Sequence, residues 1–206
     1  MHVARYAIGP MDNNTYVIVD EATGEAAVVD PSFGSDRVAQ DIDEQGWRPI
    51  VLLNTHAHID HIVENALFAE RYGTPLALHA DDVPLLEATA EQAEWFGIPE
   101  PKRVSPGRLL ADGDEVQIGT GVVRVIHTPG HSPGGVCFLG EGWVIVGDVL
   151  FQGSIGRADL PGGDLSLLLE SIRTRLLTLP PSTIVYPGHG PTTAVGREAR
   201  SNPFLT

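Results

Sequence analysis

Short apolar runs rich in β-branched residues recur along the chain, and turn-forming residues separate them. The runs at residues 15–19 and 26–30 flank the segment Asp-Glu-Ala-Thr-Gly, which predicts a β-hairpin. Later runs have the same character. We predict further strands at residues 50–53, 75–78, 116–118, 122–126, 135–139, 143–146 and 184–186.

Apolar residues at helical spacing lie between several of these strands. Val38, Ala39 and Ile42 form one face of a helix that we expect Ser35 to cap and Gly46 to end. The same spacing predicts further helices at residues 67–72, 83–95 and 164–179. Helices interleaved with strands indicate an α/β (α+β) chain.

Residues 97–107 follow neither pattern. This segment holds Pro99, Pro101 and Pro106, which predicts an ordered but irregular loop that borders a pocket. No internal repeat, low-complexity tract or interdomain linker is present. We therefore predict a single domain over residues 1–206.

Composition narrows the class of protein. Of 206 residues, 42% are hydrophobic and 19% are charged, which is typical of a packed globular chain. The 13 basic and 27 acidic residues give a formal net charge of -14, so we expect no nucleic acid and no membrane as partner. Cys137 is the single cysteine, which we expect to be buried and inert, and no signal-peptide pattern opens the chain. These features predict a cytoplasmic protein.

Metal-binding residue types follow directly after four of the predicted strands. His56, His131, Asp148 and His189 each stand just beyond a strand. Because strand ends in a rigid sheet present several loops to one cleft, we expect these side chains to meet there.

The segment around His56 extends this set. In His56-Ala57-His58 the two imidazoles project to the same side of an extended segment, so both can reach one ion. Asp60 and His61 point elsewhere and suit a second ion, about 3.5–4 Å from the first in two-metal hydrolytic sites. The candidate ligands are His56, His58, Asp60, His61, His131, Asp148 and His189.

Seven candidate ligands are too many for one tetrahedral ion but fit two when Asp148 bridges them. Mixed imidazole and carboxylate ligands favour zinc, iron or manganese over calcium, and we expect two divalent ions per chain, with zinc preferred. Coordination positions left open indicate catalysis, since a structural zinc site would be closed and richer in cysteine.

Other polar residues have simpler interpretations. We expect His2, His79 and His127 to lie outside the site, with a supporting contact by His127 as an alternative. Asp30, at the end of the second strand, is expected to accept hydrogen bonds from the 56–61 loop rather than to bind metal.

Five motifs occur in a familiar order. They are Asp30, Thr-His-Ala-His-Ile-Asp-His at 55–61, Thr-Pro-Gly-His at 128–131, Gly-Asp at 147–148 and Pro-Gly-His-Gly at 187–190. Together they resemble the metallo-β-lactamase superfamily over residues 14–205. The glyoxalase II-like (hydroxyacylglutathione hydrolase-like) branch matches best, because Asp60 stands where that branch has an aspartate ligand.

The resemblance implies a four-layer αββα sandwich and a specific ligand set. By position, His56, His58 and His131 would hold one metal and Asp60, His61 and His189 the other, with Asp148 between them. The implied reaction is hydrolysis of a small thioester, such as an S-2-hydroxyacylglutathione, in which a metal-bridging hydroxide attacks the carbonyl and Asp60 takes a catalytic role.

Substrate recognition is the least defined part of the sequence. Few residues follow His189, so the resemblance implies a short form without the C-terminal helical domain that grips glutathione. We expect the loops 97–107 and 156–163, or a neighbouring subunit of a homodimer, to form the pocket. The segment 156–163 is similar to one shared with persulfide dioxygenases, and its Arg157 either binds a substrate carboxylate or forms a salt bridge with Asp159.

Three alternatives stay open. One is a mononuclear iron persulfide dioxygenase that uses His58, His131 and Asp148. A second is a metallo-hydrolase that acts on a lactone or a phosphodiester. A third is a binding or regulatory protein without catalysis, which the unaltered ligand positions disfavour.

Overall fold

Two six-stranded sheets lie at the centre of the computed structural model, which describes residues 1–206. The first sheet contains, in spatial order, β1 His2–Ile8, β2 Asn13–Val19, β3 Glu25–Val29, β4 Arg48–Leu53, β5 Leu76–His79 and β6 Pro106–Leu110. The second contains β7 Glu115–Ile118, β8 Gly121–His127, β9 Val136–Gly140, β10 Trp143–Gly147, β13 Ile184–Pro187 and β14 Thr193–Ala194. A small hairpin consists of β11 Leu150–Phe151 and β12 Ser154–Ile155.

Seven α-helices accompany the sheets. They are α1 Asp36–Gln45, α2 Ile59–Ile62, α3 Asn65–Tyr72, α4 Val83–Glu87, α5 Thr89–Phe96, α6 Leu165–Ser171 and α7 Val195–Ser201. Gly46 ends α1 in the left-handed conformation, as predicted. Ser35 does not cap this helix, because its hydroxyl donates to the Ser32 carbonyl instead. None of the helices has the length and apolar character needed to cross a bilayer.

The side-chain alternation of the central strands produces four layers. In β2, Tyr16 and Ile18 belong to the core cluster between the two sheets, whereas Val17 and Val19 pack with residues of α1 and α3. In β10, the side chain of Ile145 faces the first sheet and its neighbours face α6. The arrangement is the predicted αββα sandwich.

The direction of the strands brings their ends to one edge. Strands β3, β4 and β5 are parallel, as are β10 and β13. Strands β8 and β10 are both antiparallel to β9 and therefore run in the same direction. The loops that follow β4, β8, β10 and β13 thus open at the same edge of the sandwich.

Two of the predicted helices are interrupted. The helix predicted at 83–95 is interrupted at Ala88, where Thr89 donates its hydroxyl to the Leu86 carbonyl and competes with the helical pattern. The helix predicted at 164–179 passes into a π-helical turn, Ile172–Leu176. Each predicted helix is therefore present as two successive helical segments and not as one continuous α-helix.

Several strands of the structure were not predicted from the sequence. Strand β6 begins at Pro106 and contains Gly107, residues that favour a loop and that a sheet tolerates at its edge, which is where β6 lies. Strand β1, at the other edge, is partly exposed.

Cys137 in β9 is buried as expected, and burial raises the pKa of its thiol to about 12.

Candidate metal centre

The seven candidate ligands all lie at the edge where the two sheets meet. The first sheet contributes His56 and His58 from the turn after β4, with Asp60 and His61 from α2. The second sheet contributes the residues that follow β8, β10 and β13, which are His131, Asp148 and His189. Side chains that are up to 133 positions apart in the sequence are therefore neighbours in space.

His56, His58 and His131 form one cluster. The Nε2 atoms of His56 and His131 are 3.3 Å apart, and His58 Nδ1 is 2.8 Å from His131 Nε2. Ligand nitrogens about 2.0–2.1 Å from one tetrahedral ion are about 3.3 Å from one another. Burial lowers the pKa of His58 to about 3, so its imidazole is neutral, as a metal ligand must be.

Asp60, His61 and His189 form a second cluster beside it. Nε2 of His61 and Nε2 of His189 are 3.2 Å apart, and Asp60 Oδ2 lies 3.4 Å and 3.3 Å from these two atoms. Burial alone would raise the pKa of Asp60, but the two imidazoles lower it to about 2. For His189 burial alone would lower the pKa, but the carboxylates of Asp148 and Asp60 raise it to about 10. The carboxylates therefore stabilise positive charge at this position.

Asp148 lies between the clusters. Its Oδ2 atom is 3.7 Å from His131 Nε2 and 3.3 Å from His189 Nε2, and its Oδ1 atom is 3.4 Å from His61 Nε2. Oδ1 is buried and accepts no hydrogen bond. A buried carboxylate oxygen without a donor is costly, and a cation at this place removes that cost. The donor set and this oxygen both fit a metal centre.

Gly188 permits the close approach of the last ligand loop. A Cβ atom at this position would lie 2.1 Å from Asp148 Oδ1. Only glycine therefore lets the turn before His189 pass over the Asp148 carboxylate. This explains the glycine of the Pro-Gly-His-Gly motif.

Backbone carbonyls fix the orientation of two imidazoles. His131 Nδ1 donates to the Arg157 carbonyl at 2.7 Å, and His189 Nδ1 donates to the Met11 carbonyl at 2.8 Å. Because Nδ1 of each ring faces a carbonyl, Nε2 is the nitrogen directed towards the centre, and it is the atom that would bind an ion in place of a proton. The main chain of Arg157, not its side chain, is thus part of the support of the centre.

Asp30 supports the same loop, as predicted. Its carboxylate accepts hydrogen bonds from the Thr55 backbone N–H at 2.7 Å and from the Thr55 hydroxyl at 2.5 Å. Its Oδ2 atom is also 3.3 Å from His61 Nδ1. Asp30 has a φ of 49°, an uncommon conformation that the buried hydrogen bonds hold in place.

Sequence analysis missed two other supports, Asp82 and Gln92. The buried Asp82 carboxylate accepts from the Ala57 N–H at 3.0 Å, the Ser132 hydroxyl at 2.9 Å and the Gly134 N–H at 2.6 Å, and so joins the two loops of the first cluster. Gln92 accepts from the Ile59 N–H and donates to the Ala57 carbonyl. A residue type as common as glutamine, inside a helix, offers no sequence signal for such a role.

His2, His79 and His127 lie outside the two clusters. The rings of His79 and His127 are stacked with centroids 4.1 Å apart and planes 10° apart. Because the lone pair of an imidazole lies in the ring plane, two parallel rings cannot both direct one at a single ion. His127 Nε2 instead lies 3.0 Å from the carbonyl of Pro133, in the loop that carries His131, which agrees with the supporting contact considered above.

A cavity of about 580 Å³ opens above the centre. One wall comes from α4 and α5, and another includes Arg157, Leu160 and Pro161 of the predicted 156–163 loop. Residues 98–105 are irregular as predicted, but the expectation that the 97–107 loop forms the pocket is wrong, because none of its residues lines this cavity and Trp95 and Phe96 of α5 line it instead.

The Arg157 side chain forms the salt bridge that was one of its two predicted roles. Its Nε and terminal nitrogen atoms donate to the two carboxylate oxygens of Asp159, both at 2.9 Å. Both side chains are exposed, and Arg157 also lines the cavity.

The fold and the site together define a class of protein with a metal centre between two sheets. The family profile described as the metallo-β-lactamase superfamily matches residues 8–189. The chain belongs to the metallo-β-lactamase superfamily, whose members are mostly metal-dependent hydrolases.

Two curated relatives match essentially the full chain. The probable metallo-hydrolase YqgX of Bacillus subtilis is 38% identical, over 98% of this chain and 96% of its own. The hydroxyacylglutathione hydrolase GloC of Haemophilus influenzae is 36% identical, over 100% of this chain and 98% of its own. The resemblance to a glyoxalase II-like branch thus includes a relative of that name.

Three solved structures share the fold closely. The B3 metallo-β-lactamase BLEG-1 superposes with a TM-score of 0.93 at 38% identity, over 100% of both chains. TTHA1623, in a di-iron-bound form, has a TM-score of 0.89 at 40% identity, over 98% of this chain and 100% of its own. ETHE1 from Myxococcus xanthus has a TM-score of 0.84 at 29% identity, over 98% of this chain and 84% of its own.

Proposed function

We propose that the protein is a metal-dependent hydrolase of small 2-hydroxyacyl thioesters, such as S-lactoylglutathione or a relative built on another thiol. The observation that carries the proposal is the second cluster, in which Asp60 Oδ2 lies 3.3–3.4 Å from His61 and His189. These three ligand side chains lie beside a separate cluster of three histidines. The likeness to GloC supports the choice of a thioester.

The proposed centre holds two divalent cations. His56, His58 and His131 would hold the first, and Asp60, His61 and His189 would hold the second, with Asp148 available to both. Zinc is the preferred ion, with iron or manganese as alternatives, and the di-iron-bound TTHA1623 supports iron. When bound, such ions lower the pKa of a coordinated water and polarise a carbonyl.

The residues around the centre position the reacting groups. Asn13 donates to Asp60 Oδ2 at 2.9 Å and fixes the Asp60 carboxylate at the second cluster, where we place the departing thiolate. Asp148 lies between the two clusters, and we place the acyl carbonyl of the substrate above it. Side chains such as Phe151 and Leu160 exclude water from the cavity around the thioester.

A substrate panel tests the proposal. Protein loaded separately with zinc, iron and manganese is assayed on thioesters, lactones, β-lactams, phosphodiesters and glutathione persulfide. We expect a 2-hydroxyacyl thioester to give the highest kcat/KM. A lactone, β-lactam or phosphodiester turned over well above every thioester would remove the substrate class while leaving the metal centre intact.

The likeness to ETHE1, a persulfide-dioxygenase-like structure, supports one second candidate. In that case His58, His131 and Asp148 hold a single iron and the protein oxidises a persulfide with molecular oxygen. The two candidates differ in measurable ways. One iron per chain, oxygen consumption with glutathione persulfide and no ester hydrolysis would establish the dioxygenase in place of the hydrolase.

A further inference from the structure

Exposed apolar side chains form the α4–α5 wall of the cavity. Trp95 is 63% exposed and Phe96 is 43% exposed, and Leu85 lines the same cavity. Contiguous exposed apolar surface on a folded chain commonly marks a place where a ligand or partner binds. Here the surface is continuous with the metal centre, because His58 and Asp148 line the same cavity.

The second wall also carries apolar side chains. Phe151, Ile155 and Leu160 face the cavity from the β11–β12 hairpin and the 156–163 loop. A group that enters the cavity on its way to the centre therefore passes between two apolar walls. The cavity volume of about 580 Å³ is in the usual range for small-molecule sites.

The walls of the cavity, as distinct from the metal centre at its floor, offer almost no free positive charge. Outside the proposed ligands, its charged side chains are Glu91 and Arg157. Arg157 is already paired with Asp159 through two hydrogen bonds. The formal net charge of -14 adds a repulsive field for anions. A thiol that carries carboxylates, as glutathione does, therefore meets no unpaired cation along these walls.

We propose that the thiol half of the substrate is uncharged and carries an apolar arm that packs against Trp95 and Phe96. This inference rests on the proposed thioesterase function and specifies its leaving group. The apolar arm gains free energy from burial between the two walls, whereas a charged arm would lose hydration without a partner. A second protein chain is a poorer occupant, because it would close the entrance to the centre.

Three lactoyl thioesters test the inference on the metal-loaded protein. Their thiols are phenylethanethiol, which has an apolar arm, N-acetylcysteamine, which is short and neutral, and glutathione. We expect kcat/KM for the phenylethanethiol ester to exceed that for the glutathione ester by about tenfold or more, the scale on which apolar pockets discriminate. Phe96→Ala should lower the ratio of the phenylethanethiol to the N-acetylcysteamine value by about tenfold, mainly through KM.

A matched control and a binding measurement complete the test. Phe204 is 50% exposed and lies outside the cavity, so Phe204→Ala should leave the three values unchanged. Calorimetry with the unhydrolysable phenylethyl thioether should show binding that Phe96→Ala weakens by a similar factor. Preference for the glutathione ester, or no effect of Phe96→Ala on either ratio or binding, would overturn the inference while the hydrolase stands.

Two further outcomes separate the inference from the function. If no thioester is hydrolysed but the thioether binds and needs Phe96, the apolar subsite stands and the proposed function fails. If Phe96→Ala changes the oligomeric state and not the specificity, the wall is an interface between copies of the chain and the inference is wrong.

Discussion

The floor and the walls of the cavity are built in opposite ways. The floor consists of buried ligand side chains such as His56 and His61, each held by hydrogen bonds to fixed neighbours. The walls present exposed apolar side chains, Trp95 and Phe96 among them. A rigid floor sets which chemistry is available, whereas an exposed wall can vary without loss of the fold. Relatives can therefore share a centre and differ in substrate.

The largest effect is expected from removing the residue between the two clusters. Asp148→Ala should abolish binding of both ions and lower kcat/KM on the order of a thousandfold or more, because both clusters lose an anionic ligand. Metal content by mass spectrometry and thioester kinetics check this. Retention of two ions and of normal turnover would contradict the place of Asp148 in the floor.

Asp60→Asn should have the next largest effect. The variant keeps the size of the side chain but loses the charge beside His61 and His189, so we expect kcat to fall about a hundredfold with little change in thermal stability. Asp159→Asn is the control, since Asp159 is exposed and lies outside the two clusters. An Asp60→Asn enzyme with an unchanged rate and full metal content would remove Asp60 from its proposed catalytic role.

Asp82 tests whether the floor depends on its supports. Asp82→Ala leaves buried donors of Ala57, Ser132 and Gly134 without their acceptor, so the free energy of unfolding should fall by about 1–3 kcal/mol. Metal affinity should fall about 10- to 100-fold. Denaturant titration and metal competition measure the two effects. The neighbouring exposed Asp81 provides the control Asp81→Ala, and equal behaviour of both variants would argue against a positioning role.

Arg157→Gln should have the smallest effect. The side chain is exposed and paired with Asp159, and exposed ion pairs contribute little, so we expect kcat/KM for uncharged thioesters to change within about threefold. The Arg157 carbonyl that holds His131 is unaffected by the substitution. A large loss confined to substrates with a carboxylate would instead assign Arg157 to substrate binding.

The floor was predictable from sequence because its residues follow strong patterns. The apolar runs that end before His56, His131, Asp148 and His189 identify strands, and parallel strands bring their ends together. Residue type then identifies the metal-binding side chains. Ligation by these residues stays a prediction until metal content is measured.

The supports and walls were not predictable in the same way. Asp82 acts through hydrogen bonds to loops that lie 25 to 52 positions away, and nothing local to it indicates those partners. Trp95 ends the helix predicted at 83–95, and nothing in that pattern indicates that α5 lines a cavity with the side chains of Trp95 and Phe96. The edge strand β6 was not predicted, because it begins with a proline and a glycine, which favour a loop.

Each cluster of the centre draws side chains from both sheets. His56 and Asp60 follow the first sheet, and His131 and His189 follow the second. Bound ions would therefore join the two halves of the sandwich, as a cross-link does, and each would add about 4 kcal/mol of stability at a free metal concentration a thousand times its Kd. The supply of metal in the cell would then govern how long the chain survives proteolysis, independently of any turnover.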